Sequence, residues 1–189
     1  VNIVVRNAAG RYFVRPDTTR DKNNEDYFPT DNIRLLTCTP AITVSISRSG
    51  KYIGSSFVRR YYDTLGVGLL LYPENMITGR EEDFACASCL DHTSYIPVPE
   101  ITLSEYTGPS GEMTLTADGM TIWQGTLPDI ALIDSAIREA SEILYLRKGD
   151  IIVIELSSRI NLAEREGSNR SISLKTGDKT PVFFDIRFE

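Results

Sequence analysis

The 189-residue chain has a single histidine, His92, one tryptophan and three cysteines, and each scarcity removes a class of chemistry. Three thiols cannot all pair, so a disulfide framework is set aside and a reducing, cytoplasmic setting is expected. One histidine without a G-x-S-x-G elbow leaves little for a Ser-His-Asp hydrolase, and a histidine in a turn or interface is the ordinary case. No apolar run approaches the roughly 18 residues of a membrane-spanning helix, and no charged–apolar–small leader pattern opens the sequence. Positive charge is scarce too: Arg59-Arg60 is the only dense basic cluster and the net charge is −6, so a nucleic-acid groove is not expected. Acidic residues are missing from one long stretch, with no Asp or Glu between Thr37 and Tyr62.

What remains is an ordinary globular composition, 41% hydrophobic and 24% charged, which argues against wholesale disorder. Short strands dominate. Asn2–Asn7 reads as an opening strand. From Ala41, the residues Ile42, Val44 and Ile46 alternate with Thr43, Ser45 and Ser47, the period of a half-buried strand, with a hairpin turn at Ser49-Gly50. Ser55 or Ser56 is expected to cap a short helix closed by Gly66. Val67–Tyr72 is apolar throughout, as in a strand covered on both faces. The prolines of Ile96–Tyr106 imply extended chain. Met113–Ala117 and Met120–Gln124 flank Asp118-Gly119, a two-residue primed turn. Pro128 and Asp129 suit the first turn of a helix whose Ile130, Ile133, Ile137, Ala140 and Leu144 share a face. A strand over Ile151–Ser157, a polar loop over Arg159–Arg170 and a strand over Pro181–Glu189 follow. Gly149-Asp150 and Gly177-Asp178 read as reused strand-launching turns.

The segments Tyr12–Asn24, Gly50–Gly68, Phe84–Asp91, Leu144–Val153 and Leu174–Asp178, in this order and spacing, resemble the compact catalytic domain of the fumarylacetoacetate hydrolase family. The resemblance implies a mainly β (α+β) fold: a mixed β-sandwich roll with one longer helix and short helices, usually homodimeric. The whole chain, 1–189, is then one domain, with 1–40 a shortened N-terminal arm and strands and 41–189 the β-roll core. The family's chemistry is metal-assisted cleavage of carbon–carbon bonds in diketo and oxo acids, with Mg²⁺ held by a Glu-x-Glu pair and an Asp. A hard cation of that size requires such oxygen ligands. Counting along the resemblance puts the Glu-x-Glu pair on Pro40 and Ile42, the metal Asp on Asn75 and a Lys on Ser88. The segment supplying the family's histidine looks deleted, and its Thr-Gly-Thr-Pro loop corresponds to Ile154–Ser158.

The expectation is therefore a retained framework whose old ion pocket has neutral, mostly apolar walls. Such a protein would bind a small molecule or protein partner in the vacated cleft, with no cofactor. An alternative is a divergent Mg²⁺-dependent hydrolase or decarboxylase drawing acids from Asp17, Glu25, Asp26 or Glu74. A second is a zinc or thiol protein using Cys38, Cys86, Cys89 and His92, a Cys₃His set suited to tetrahedral zinc. Plainer readings compete at several positions. The thiols can be small core residues, and Glu81, Glu82 and Asp83 a solvated charge run. Asp91 can cap a turn, the Gly108–Gly111 segment is a loop, and Trp123 can belong to the core or an interface.

Overall fold

The computed structural model describes residues 1–98, 100–167 and 169–188. Pro99 in the extended segment, Ser168 in the polar loop and Glu189 at the end of the last expected strand lie outside the described residues. In chain order the elements are β1 (Asn2–Arg6), β2 (Tyr12–Pro16), β3 (Arg20–Asp21), β4 (Leu35–Ile46), β5 (Tyr62–Pro73), α1 (Glu81–Ala87), β6 (Ser94–Tyr95) and β7 (Ile101–Thr102). Then come β8 (Glu112–Ala117), β9 (Met120–Thr126), α2 (Ile130–Ile143), β10 (Ile151–Glu155), β11 (Ile160–Glu164), β12 (Arg170–Thr176) and β13 (Lys179–Ile186). A mixed sheet runs β2-β1-β10-β4-β5-β6-β3, with β11 also on β4 and β7 on β5; a second, antiparallel sheet runs β13-β12-β8-β9. The mainly β, α+β architecture is as expected.

Local chemistry explains the elements that formed as read. Asp118 and Gly119 have φ of 51° and 77°, the two positive values of a primed hairpin turn between β8 and β9. Asp129 caps α2 by accepting the Ala131 N–H at 2.7 Å, and Ile133, Ala136, Ile137 and Ala140 bury its apolar face. In β13, Val182, Phe184 and Ile186 are buried. The Gly149-Asp150 turn is tied down further: Asp150 accepts the N–H groups of Arg147 and Asn2, each at 2.8 Å, fastening β1 beside β10.

Three elements differ from expectation. The helix expected to end at Gly66 is only a single 3₁₀ turn, Val58–Arg60, and Gly66 lies inside β5. A Cβ there would come within 2.6 Å of Thr43 Oγ1, so the glycine permits close strand contact instead of ending a helix. The polar loop after Arg159 contains β11, which pairs with the first part of β4. Finally, β4 starts at Leu35, so the 40/41 division falls in mid-strand. Pro40 is tolerated there because its partner changes: Ala41 pairs with Glu155 of β10, Cys38 with Ile160 of β11. The missing N–H falls between those two strands and costs no ladder bond.

The large sheet has two unlike faces. Leu36, Cys38, Ile42, Val44 and Ile46 of β4 join Leu65, Val67, Leu69 and Leu71 of β5, Ile152, Ile154, α2 and the second sheet in the main core. Ile3, Val5, Ala41, Leu70, Tyr72, Ile151 and Val153 form a smaller cluster on the other face. By strand alternation Thr37 and Thr39 share that second face, and it carries the cleft.

Candidate active-site cleft

Beyond the apolar cluster, the second face ends in a cavity of about 480 Å³. Its floor is Thr37, Tyr72 and Glu155; its walls are Asn7, Ala8, Ala9, Phe13, Phe84, Glu74 and the Ser157–Arg159 turn. Phe84 reaches it from α1, meeting Phe13 edge-on at 5.0 Å and lying over Tyr72 at 6.2 Å.

Glu155 is the buried carboxylate. It closes β10 in the position that Ile151 and Val153 occupy earlier on the same face. The Thr39 hydroxyl donates to its Oε1 at 2.8 Å, and the Tyr72 hydroxyl donates to the same oxygen. Burial pushes the Tyr72 hydroxyl well above its ordinary range, with Glu155 adding to the effect against the opposing charge of Arg15, so it remains a donor. Among the described residues nothing donates to the second Glu155 oxygen, which faces the cleft. Arg15, fully buried, lies with its guanidinium carbon 4.4 Å from the Tyr72 ring centroid.

Glu74, on the turn after β5, is held differently. Arg159 grips it as a fork, Nε to Oε2 at 2.7 Å and a terminal nitrogen to Oε1 at 3.0 Å, while Thr37 donates to Oε2 at 2.7 Å. Burial pushes the Glu74 carboxyl up, but the hydrogen bonds from Arg159 and Thr37 and the Arg159 charge outweigh it, leaving the group below its ordinary 4.5. A depressed carboxyl contributes stability above the unfolded pKa, and that stability is lost as pH falls through the folded one. The acid side of the wild-type melting profile is therefore expected to be steeper below about pH 4.5 than that of Glu74→Gln. The difference is roughly 0.5–1 kcal/mol, because the pair is partly solvated. Superimposable acid limbs would contradict the pairing.

The structure corrects several expected positions. Ile42 points into the main core, and Pro40 shares its alternation; on the opposite alternation Thr37 lines the cleft and Thr39 lies buried against Glu155. Asn75 is outside the cleft, where its side chain accepts the Arg34 and Leu35 N–H groups and donates to Asn32 O. Ser88 is buried behind α1, its hydroxyl donating to Phe84 O at 2.8 Å. The expected neutral walls are wrong: two carboxylates line the cleft. Glu74 had a sequence signal as an acid at the end of an apolar strand. Glu155 had one as well, the single acid closing Ile151–Glu155, but it lies in the segment matched to the family's Thr-Gly-Thr-Pro loop.

The zinc set is not assembled. Cys38 is buried on the core face, where desolvation pushes its thiol up, while Cys86 and Cys89 are exposed around the end of α1. His92 lies instead beside Asp21 and Glu25. Of the acids of the other alternative, Asp17 meets the N-terminus at 3.7 Å, Asp26 meets Arg187 at 2.7 Å and Glu74 meets Arg159, while Glu25 joins Asp21 and His92 in a group that could hold a metal ion. Trp123 packs half-buried on the main core, and Asp83 pairs with Arg80 at 2.8 Å.

No family model and no curated protein matches the sequence. Solved structures do. A fumarylacetoacetate hydrolase family protein from Yersinia pestis superposes with TM-score 0.79 at 19% identity, over 100% of this chain and 92% of that one. Fumarylpyruvate hydrolase from Pseudomonas aeruginosa, solved with Mn²⁺ and pyruvate, gives 0.79 at 12% identity over 100% and 89%. The 2-hydroxyhepta-2,4-diene-1,7-dioate isomerase of Mycobacterium marinum gives 0.79 at 13% over 99% and 73%. The chain thus has the fold of the fumarylacetoacetate hydrolase family.

A hard divalent ion does not fit the donors present in the cleft. Mg²⁺ and similar ions need several oxygen ligands, with carboxylate charge to offset dehydration. Here Glu155 offers one open oxygen, Glu74 is already neutralised by a guanidinium, and both threonine hydroxyls are spent on these carboxylates. Arg15 beneath Tyr72 adds further positive potential.

Proposed function

We propose that the cleft binds a small polar organic molecule without a metal, and that the chain has left the metal-assisted chemistry its fold implies. The charge balance of the cleft carries this reading: two carboxylates, Glu155 and Glu74, stand against two guanidiniums, Arg15 and Arg159, all four gathered around Tyr72. Such a site discriminates by hydrogen bonding instead of by holding an ion. The open Glu155 oxygen takes a donor, the half-exposed Arg159 takes a carboxylate, and Phe13 and Phe84 flank a flat body. Small amino or hydroxy acids have that shape. The cytoplasmic homodimer implied by the resemblance accompanies this reading, and a monomeric mass by sedimentation velocity would remove the dimer.

Thermal melting is a direct test, because only a molecule bound to the native state raises the melting temperature. Mg²⁺ at millimolar concentration is expected to leave it unchanged. At least one small amino or hydroxy acid is expected to raise it in the wild type and not in Glu155→Gln. A panel that moves neither protein would contradict the proposal.

The second reading, a divergent divalent-metal-dependent hydrolase or decarboxylase for oxo acids, draws on Glu155 having an oxygen open to the cleft beside Ser157 and Arg159. Fumarylpyruvate supplied with Mg²⁺ separates the two. No turnover above background is expected, whereas turnover abolished by Glu155→Gln would favour the enzyme.

A further inference from the structure

We infer that Asp21, Glu25 and His92, none of which lines the cleft, form a binding site for a divalent transition ion of the zinc class at the β3 edge of the large sheet. The three side chains each present a ligand atom, all within 4.8 Å of one another, the only such group among the described residues. The site is independent of the reading given to the cleft.

Its geometry is partly set. A tetrahedral ion with bonds near 2.1 Å places its ligands ~3.4 Å apart. His92 Nδ1 and Asp21 Oδ2 are 3.5 Å apart. Glu25 is exposed, and its Oε1 accepts from Asn23 at 3.3 Å, a surface contact that metal binding would have to replace or share.

Asp21 is the fixed member. Its side chain is 2% exposed, and its Oδ1 accepts the backbone N–H groups of Asn23 at 3.0 Å, Asn24 at 2.7 Å and Glu25 at 3.3 Å. That frame holds the carboxylate and turns Oδ2 toward the imidazole, the kind of outer contact that orients a metal ligand. No described residue donates a hydrogen bond to Oδ2. No Lys or Arg among the described residues pairs with Asp21 or Glu25, so two carboxylates converge on an imidazole with no cation between them. In the cleft Arg159 pairs with Glu74; here no such cation stands among the described residues.

The donor types decide the ion. One imidazole nitrogen with two carboxylate oxygens suits zinc, or cobalt in its place, over Mg²⁺, which favours oxygen alone. Three protein ligands would leave a fourth position open, and Glu25 and His92 also line a separate cavity of about 460 Å³ walled by Tyr27, Phe28, Ile33 and Leu90. The cysteines that would compete for zinc belong to no metal-capable group among the described residues.

Calorimetric titration of the metal-stripped protein with ZnCl₂ tests the site. One ion per chain is expected, with affinity reduced at least tenfold in both His92→Asn and Glu25→Gln. Asparagine is chosen because His92 has φ of 56°, a left-handed conformation that Asn tolerates, so folding is kept. A double Cys86→Ser, Cys89→Ser variant is expected to bind like the wild type, and the Co²⁺ form to show visible bands without thiolate charge transfer. No binding up to about 1 mM Zn²⁺, full affinity in either ligand variant, or a thiolate spectrum would each overturn the assignment.

Discussion

Arg15→Ala is expected to lower the free energy of unfolding by about 3–5 kcal/mol, because it removes a set of buried charge-assisted hydrogen bonds and leaves a cavity. The side chain is completely inaccessible and crosses from β2 beneath the cleft. One terminal nitrogen donates to Thr93 O at 3.1 Å, Thr93 Oγ1 at 3.2 Å and Ser94 Oγ at 3.3 Å; the other donates to Leu71 O at 3.0 Å. Among the described residues its Nε is buried without a partner, so the arrangement already carries a desolvation cost. Alanine would remove the hydrogen bonds and open a cavity under Tyr72. Arg15→Lys keeps the charge but not the planar fork, so a smaller loss is expected. Urea unfolding at 25 °C measures both. A change below about 1 kcal/mol for Arg15→Ala would mean that the guanidinium does not brace the sheet.

The second large effect is expected where the two sheets meet. Tyr95 of β6 and Phe184 of β13 stack face to face, with centroids 3.7 Å apart and planes 8° from parallel. Both are buried, at 0% and 4% exposure, while Phe183 beside them is 56% exposed. Phe184→Ala is expected to cost about 3–5 kcal/mol through lost burial and a residual cavity. Phe183→Ala should stay within roughly 0.5 kcal/mol, as surface changes do. Because side chains alternate along a strand, equal costs at the two positions would mean that β13 is paired one residue out of register. Denaturant midpoints of the two variants, at a common slope, decide it.

The contrast between these phenylalanines also shows what the sequence could reveal. Alternation made β13 legible because Val182, Phe184 and Ile186 stand against polar or exposed neighbours. The Asp118-Gly119 hairpin and the Asp129-capped helix were legible for equally local reasons. Strand β4 was harder: Leu35–Ile46 mixes threonine with apolar residues, and threonine suits either face, so period alone does not say which side meets the core. Pro40 and Ile42 fall on the alternation that faces the main core, whereas Thr37 and Thr39 fall on the other. Gly66 reads as a helix stop from local chemistry because its packing partner, Thr43, is 23 positions away in the chain. The cleft depends on still longer separations. Glu155 meets Thr39 across 116 residues and Tyr72 across 83, so the acid that closes an apolar strand gave no local sign of its partners.

The cleft is the centre of the functional reading, and diffraction at the manganese absorption edge from crystals soaked in MnCl₂ tests it most directly, because it locates the ion. The expected result is no anomalous peak within bonding reach of Glu155 or Glu74, with Arg159 still gripping Glu74. A manganese ion bound by both carboxylates, with Arg159 swung aside, would contradict the metal-free site.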